Sequence, residues 1–216
     1  MTTPLALMND SAFYSNAHYP RALDGHHWYR HLLIRPRFRA IRRMAAIEPG
    51  MRVLEVGCDR GILVRMLERT GALVYGVDVN EDAVRAAQHP RISLASGESV
   101  PFPDQMFQLC VSCHVIEHVE SPRDFLLESA RLLAPGGKVV LIYPWEVIRG
   151  MTTVPDIIFS GRVPTLSLMR RIHRHAFTPA TLRRLIRGMP LRHVHSRMFL
   201  GLPHLAPQLV TAFQKT

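Results

Sequence analysis

Between residues 51 and 144 the chain alternates five short runs rich in β-branched residues with stretches whose apolar positions recur at helical spacing. That alternation constrains the fold more than any other feature. MRVLEVG (51–57) reads as a strand stopping at glycine, and ILVRMLERTG as a helix ending at Gly71. ALVYGVDV (72–79) is a second strand, after which Asn80, Glu81 and Asp82 cap and charge a helix through Gln88. Residues 91–95 predict a third strand and Phe107 to Cys113 a fourth, nearly all apolar as befits a strand covered on both faces. Ser121-Pro122 opens a helix to Leu133 that closes on Pro-Gly-Gly, and KVVLIYP (138–144) is the fifth strand. The order predicts an α/β chain: a doubly wound, mainly parallel sheet in three αβα layers, with its ligand beyond the carboxyl ends of the strands.

The flanks differ in character. Arg30 to Ala46 is basic and helix-like, interrupted by Pro36. Residues 145–176 read as irregular or partly helical, an insertion ahead of TPATLRRLIRGMP, where Thr178 caps a basic helix with Leu182, Leu185 and Ile186 on one face. Residues 191–199 and 208–213 suit a closing pair of strands. Lys and Arg outnumber Asp and Glu by 8 to 3 before residue 53 and by 10 to 0 after residue 156, while the middle carries 9 against 14. Either an anionic partner meets the acid-free segment or the acidic middle packs beside it. At 216 residues there is room for one main domain. No apolar run approaches the roughly 18–20 residues that span a bilayer, and the opening lacks the pattern of an export signal. Cys58, Cys110 and Cys113 are too few for a disulfide framework. A cytoplasmic protein is the expectation.

Function is expected in the turns after the strands. The first, Glu55-Val56-Gly57-Cys58-Asp59-Arg60-Gly61, has glycines that let backbone approach a ligand, and an acid suited to a cationic or hydroxylated group. It fits neither G-x-G-x-x-G nor a phosphate-binding loop with its lysine, which disfavours a pyrophosphate. Asp78 ends the second strand about twenty residues later, where a carboxylate can accept both hydroxyls of a ribose. A nucleoside without pyrophosphate follows.

The ordered series VLEVGCDRG, VYGVDVN, SGESVPFPDQMFQLCVSCHVIEHV and RLLAPGGKVVLIYP resembles the class I S-adenosylmethionine-dependent methyltransferases, particularly the small-molecule, type 11-like group that includes ubiquinone and menaquinone methyltransferases. It covers residues 51–144 well and the flanks weakly. The resemblance implies a Rossmann-like fold and S-adenosylmethionine as cofactor. It places Glu55, Gly57, Cys58 and Gly61 around the methionine part, Asp78 on the ribose, Val79 along the adenine, and Ser96, Gly97 and Glu98 at the adenine edge. Cys113 and His114 match residues lying along the cofactor's methionine. Asp59 replaces the middle glycine of the first motif, where it either meets the ammonium group or weakens binding; Gln108 replaces the usual aspartate of the fourth strand. The implied layout is a basic helical lid (1–50), a cofactor-binding core (51–144), a variable substrate cap (145–177) and a closing helix with strands (178–216).

Two other letter patterns are set aside. Cys110-Val-Ser-Cys113-His114 spells the covalent haem motif inside a predicted buried strand, and His114-Val-Ile-Glu117-His118 spells an inverted zinc-protease signature that needs a helix to converge its histidines. No metal ligand is assigned. His114 is expected either to wall the pocket or to act as general base, since imidazole titrates near neutrality, with His118 the lesser catalytic candidate. Trp145, His173, Arg174 and His175 in the insertion, with Trp28 and Tyr29 ahead of the core, are the candidate acceptor-site residues. The expected acceptor is a small molecule, anionic or lipid-like, with peripheral membrane contact left open. RNA is a rival acceptor because the basic flanks could track phosphates, but no RNA-binding module is recognisable and aromatics are 7%. The other rival is a non-catalytic scaffold or membrane-surface protein on the same fold, suggested by Asp59 and the basic, apolar IIFSGRVPTLSLMRRI and TLRRLIRG.

Overall fold

The computed structural model describes residues 27–159, 163–201 and 206–216. Strands β1 (Arg52–Val56), β2 (Leu73–Asp78), β3 (Ile92–Leu94), β4 (Phe107–Cys113) and β5 (Leu133–Pro144) run parallel, and the hairpin β6 (Leu191–Gly201) with β7 (Ala206–Lys215) joins β5 through antiparallel β7. The order is β3-β2-β1-β4-β5-β7-β6. The chain leaves β1 toward β2 and β3, then crosses back to β4 and β5 on the other side. The carboxyl ends of β1 and β4 therefore flank the reversal point at which doubly wound sheets hold ligands.

Side-chain alternation splits the apolar residues between the two sheet faces. Leu54, Val56 and Cys110 pack on the face covered by α4 (Pro122–Leu132) and α7 (Pro179–Leu185), with Phe125, Leu126 and Leu182. Val53, Leu109 and Val111 pack on the opposite face under α1 (His27–Met44) and α2 (Ile62–Glu68), with Ile41, Leu63 and Leu67. Each such side chain taken fully out of water contributes about 1.5–3 kcal/mol. Helix α3 (Glu81–Ala87) begins where Asn80 accepts from the Asp82 and Ala83 N–H groups, as its sequence predicts. Thr178 caps α7 in a reciprocal capping box with Thr181.

The insertion is more ordered than its sequence suggests. A 3₁₀ turn (Met151–Thr153), α5 (Val154–Phe159) and α6 (Leu166–Ile172) share a small core of Ile157, Met169 and Ile172. Three sequence expectations need correction. Helix α1 starts at His27 and continues through Pro36 without a break, because Ala40, Ile41 and Met44 beyond the proline are buried against the sheet. Strand β5 starts at Leu133, before the Pro-Gly-Gly expected to separate it from the helix: Leu133 pairs with Phe107 across an irregularity, and regular pairing resumes at Leu109 with Lys138. Both strands of the closing hairpin are longer than expected.

Candidate functional site

The turn after β1 is built on left-handed backbone. Gly57 (φ 76°), Asp59 (φ 47°) and Gly61 (φ 71°) all adopt it. Glycine takes this region freely, and aspartate is among the few other residues that tolerate it, which reconciles Asp59 with a position usually held by glycine. The Gly57 and Cys58 N–H groups donate to Val77 O at 2.8 and 3.1 Å, locking the turn to β2. The crowding at the two glycines comes from protein: a Cβ on Gly57 would lie 2.2 Å from Val115 Cγ2, and one on Gly61 2.4 Å from Ile92 Cδ1. The loop after β4 and strand β3 thus pack directly against these two positions.

Asp59 ties the turn to the end of β2. Its backbone N–H donates to Asp78 Oδ2 at 2.7 Å while the residue stays exposed. Asp78 Oδ1 accepts from the Asn80 N–H at 2.9 Å. Burial pushes the Asp78 carboxyl up, partly offset by those two N–H donors. Glu55, fully enclosed in β1, is raised more strongly, by burial first and then by the charges of Asp78 and Asp59. Its Oε2 is buried without a hydrogen-bond partner. Three carboxylates thus surround one turn, with Arg37 of α1 the cation acting on Glu55. A ligand carrying positive charge, hydrogen-bond donors and hydroxyls suits this constellation, and S-adenosylmethionine offers an ammonium, a sulfonium and a ribose diol.

The remaining expected cofactor positions divide. Val79 is 53% exposed beside Asp78. Ser96 and Ser99 bridge to form the tight turn after β3, and a Cβ on Gly97 would strike Val56 and Phe125. Glu98, expected at the adenine edge, accepts from the Ser121 N–H at 2.6 Å with its Oε1, so it holds the start of α4. Gln108 accepts from the Arg52 N–H at 2.8 Å, fixing the start of β1. Cys58 is buried and its thiol pushed up by burial. At the end of β4 the Cys113 thiol is raised to about 12, by burial first. None of the three cysteines is in a disulfide.

His114 follows Cys113 with φ 57°, its backbone N–H donating to Ile142 O at 2.8 Å. Such a conformation at a non-glycine residue costs about 1–2 kcal/mol and aims the ring in a direction ordinary backbone would not. His114 Nδ1 lies 3.1 Å from Glu117 Oε1, and its Nε2 is buried without a partner. Burial raises the Glu117 carboxyl, but the His114 hydrogen bond and the charges of His114, His118 and His173 prevail and hold it down at about 2.

Residues 116–118 form a turn, so His114 and His118 do not make the helical pair of a zinc-protease signature. His118 turns instead toward the insertion. Its Nδ1 donates to Ile172 O at 2.7 Å and its ring meets that of His173, centroids 4.8 Å apart. His118 is held below its ordinary value, by burial first. His173, expected to meet an acceptor, is buried, its Nδ1 3.0 Å from both oxygens of Glu146. His175 is also tied inward: its N–H donates to Glu117 O and its Nε2 to Val119 O. Arg174 is exposed, its carbonyl accepting from Arg149. Trp145 is 37% exposed just beyond β5. Trp28 and Tyr29 fall in the first turn of α1, their side chains outside the described residues.

Glu117 stands in the sequence only within the zinc-protease-like letters, and neither Glu146 nor Arg37 belongs to a motif; the fold brings Glu146 to His173.

Residues 54–141 match the family described as Methyltransferase domain. Demethylmenaquinone methyltransferase of Tropheryma whipplei is 33% identical over 110 residues, 48% of this chain and 46% of that protein. Ubiquinone biosynthesis O-methyltransferase of Roseobacter denitrificans is 34% identical over 106 residues, 44% and 43% respectively. The chain thus spans about half the length of the curated relatives it matches. The crystal structure of an S-adenosylmethionine-dependent methyltransferase from Mesorhizobium loti superposes with a TM-score of 0.65 at 20% identity, covering 85% of this chain and 98% of that one. The segment from 54 to 141, with the reversal point at its centre, is therefore similar to the Methyltransferase domain family, and the sheet around it has the fold of that S-adenosylmethionine-dependent methyltransferase.

Proposed function

We propose that the chain transfers a methyl group from S-adenosylmethionine to a small, quinone-like or lipid-like acceptor. The observation that carries this reading is the pair of carboxylates Glu55 and Asp78 on neighbouring strands, close enough to act on each other by charge, with Asp78 held by the Asp59 N–H. Asp78 would take the ribose hydroxyls, the orphaned Glu55 Oε2 would accept from the ammonium, and Arg37 stands near enough in charge to oppose the methionine carboxylate. When bound, the cofactor supplies an electrophilic methyl carbon already activated by the sulfonium.

The protein's own task is to orient the acceptor in line with that carbon and to exclude water. His114 would serve as base where the attacking atom carries a proton. A Glu117 carboxylate facing Nδ1 fixes the proton there and leaves Nε2 as the accepting nitrogen. Cys113 and the main chain of Gly57 would line the methionine part. The insertion after β5, with Trp145 beside the strand end, is the segment for acceptor choice. The acceptor class is supported by the quinone-pathway names of the relatives over the aligned half.

Calorimetry of the full chain with S-adenosylmethionine tests the reading. Binding is expected for the wild type and a roughly ten- to hundredfold loss in Asp78→Ala, the worth of hydrogen bonds to a charged group. Unchanged affinity in the variant would overturn the ribose assignment, and no binding to the wild type would overturn the activity.

A further inference from the structure

We propose that Glu117, His118 and His173 form a binding site for a divalent transition-metal ion of the zinc class, which staples the insertion to the sheet. One ligand atom from each lies within 4.8 Å of the other two. Zinc bonds of about 2.0–2.2 Å at tetrahedral angles put ligand atoms roughly 3.3–3.6 Å apart, so a small inward shift completes the triad.

The outer contacts of both imidazoles suit a metal. The Ile172 carbonyl can only accept, so the 2.7 Å contact puts the proton on His118 Nδ1 and gives Nε2 the lone pair. His173 Nδ1 faces the Glu146 carboxylate at 3.0 Å, the carboxylate–histidine arrangement that orients metal-binding imidazoles through their other nitrogen. Glu146 is fixed in turn by N–H groups of Gly150 and Thr152 and by the Thr152 hydroxyl. The third ligand supplies an independent observation: Glu117 is 1% exposed, and its Oε2 is buried without a partner. A buried carboxylate oxygen with no donor is costly, and a cation is the simplest group to satisfy it.

Two imidazoles and one carboxylate oxygen suit zinc better than magnesium or calcium, which prefer oxygen alone. Three protein ligands leave a fourth position for water. The geometry assigns the ion a tethering role, since Glu117 and His118 follow β4 whereas His173 follows α6 and Glu146 follows β5. The site shares Glu117 with His114, so an ion there would bear on how that ring is held.

The test uses the full chain stripped with chelator, then titrated with Zn²⁺ by calorimetry and with Co²⁺ by visible absorption. The expected result is one equivalent bound, a four-coordinate cobalt spectrum and a higher melting temperature. X-ray absorption of the zinc-loaded wild type should show imidazole ligation without sulfur. His118→Ala and His173→Ala should abolish binding, and Glu146→Gln should weaken it roughly 10–100-fold, as loss of an orienting partner does. His175→Ala, whose ring is tied to Val119 O, should bind like the wild type. Absence of binding to the wild type, a thiolate shell, or undiminished binding in folded His173→Ala would each overturn the site. The wild-type measurements decide the matter even where a variant fails to fold.

Discussion

The backbone N–H of Asp59 donates to Asp78 Oδ2 at 2.7 Å, so the residue standing where related first motifs have glycine holds the carboxylate at the end of the next strand. Its left-handed φ of 47° separates two contributions, backbone and charge. Asp59→Gly is expected to keep the N–H contact, relieve about 1 kcal/mol of backbone strain and lower cofactor affinity by the lost charge alone. Paired urea denaturation and calorimetry would record a protein no less stable but weaker in binding. A variant that bound more tightly than the wild type would mark the Asp59 side chain as an obstruction.

Glu55 gives the pH dependence. Its carboxyl is raised well above 4.5 in the fold, so between 4.5 and the raised value the native state holds a proton that the unfolded state has released. The resulting stabilisation is full below 4.5 and lost as pH climbs through the folded value. Glu55→Gln should flatten that decline, leaving the ligand-free variant more stable than the wild type at the alkaline end. A cationic ligand reverses the balance by favouring the carboxylate, so cofactor binding should release protons. Calorimetry in buffers of different ionisation enthalpy would detect this, and Glu55→Gln should abolish it.

Turnover and binding should part company at His114. His114→Ala is expected to bind S-adenosylmethionine within a few-fold of the wild type while turnover on a hydroxyl acceptor falls by about 10²–10⁴. An acceptor whose attacking atom carries no proton should show a far smaller loss. Equal losses on both kinds of acceptor would reduce His114 to a wall of the pocket.

Gly57 tests the packing of the turn. A Cβ there meets Val115 Cγ2 at 2.2 Å on backbone with φ 76°. Gly57→Ala should therefore cost about 2–4 kcal/mol, overpacking and left-handed strain together, read as a lower urea midpoint. Adding Val115→Ala should recover the overpacking share and leave the strain.

The five parallel strands and their caps are legible in the sequence because each is set by neighbours along the chain: the β-branched run of β2, the Asn80 cap of α3, the Ser121-Pro122 entry to α4. The turn after β1 is legible for the same reason, as glycines mark left-handed backbone. Pro36 misleads because a local penalty is outweighed by Ala40, Ile41 and Met44, whose burial depends on a sheet still to come. The histidine cluster is illegible for a deeper reason. Glu117 and His118 precede His173 by more than fifty residues, and His173 precedes its carboxylate partner by none: Glu146 lies twenty-seven residues upstream, in a segment without a motif. Glu98 carries a second role the sequence does not show, since its Oε1 accepts from the Ser121 N–H more than twenty residues away.

Among the described residues, the outermost strand of the sheet, β6, has a neighbouring strand on one side only. Arg192, His195 and Arg197 are exposed along it. Side-by-side addition of an identical molecule would bring Arg192 and Arg197 up against like charges, which disfavours open-ended fibre growth, while the inner side stays paired with β7 on both sides of the irregularity between His193 and His195.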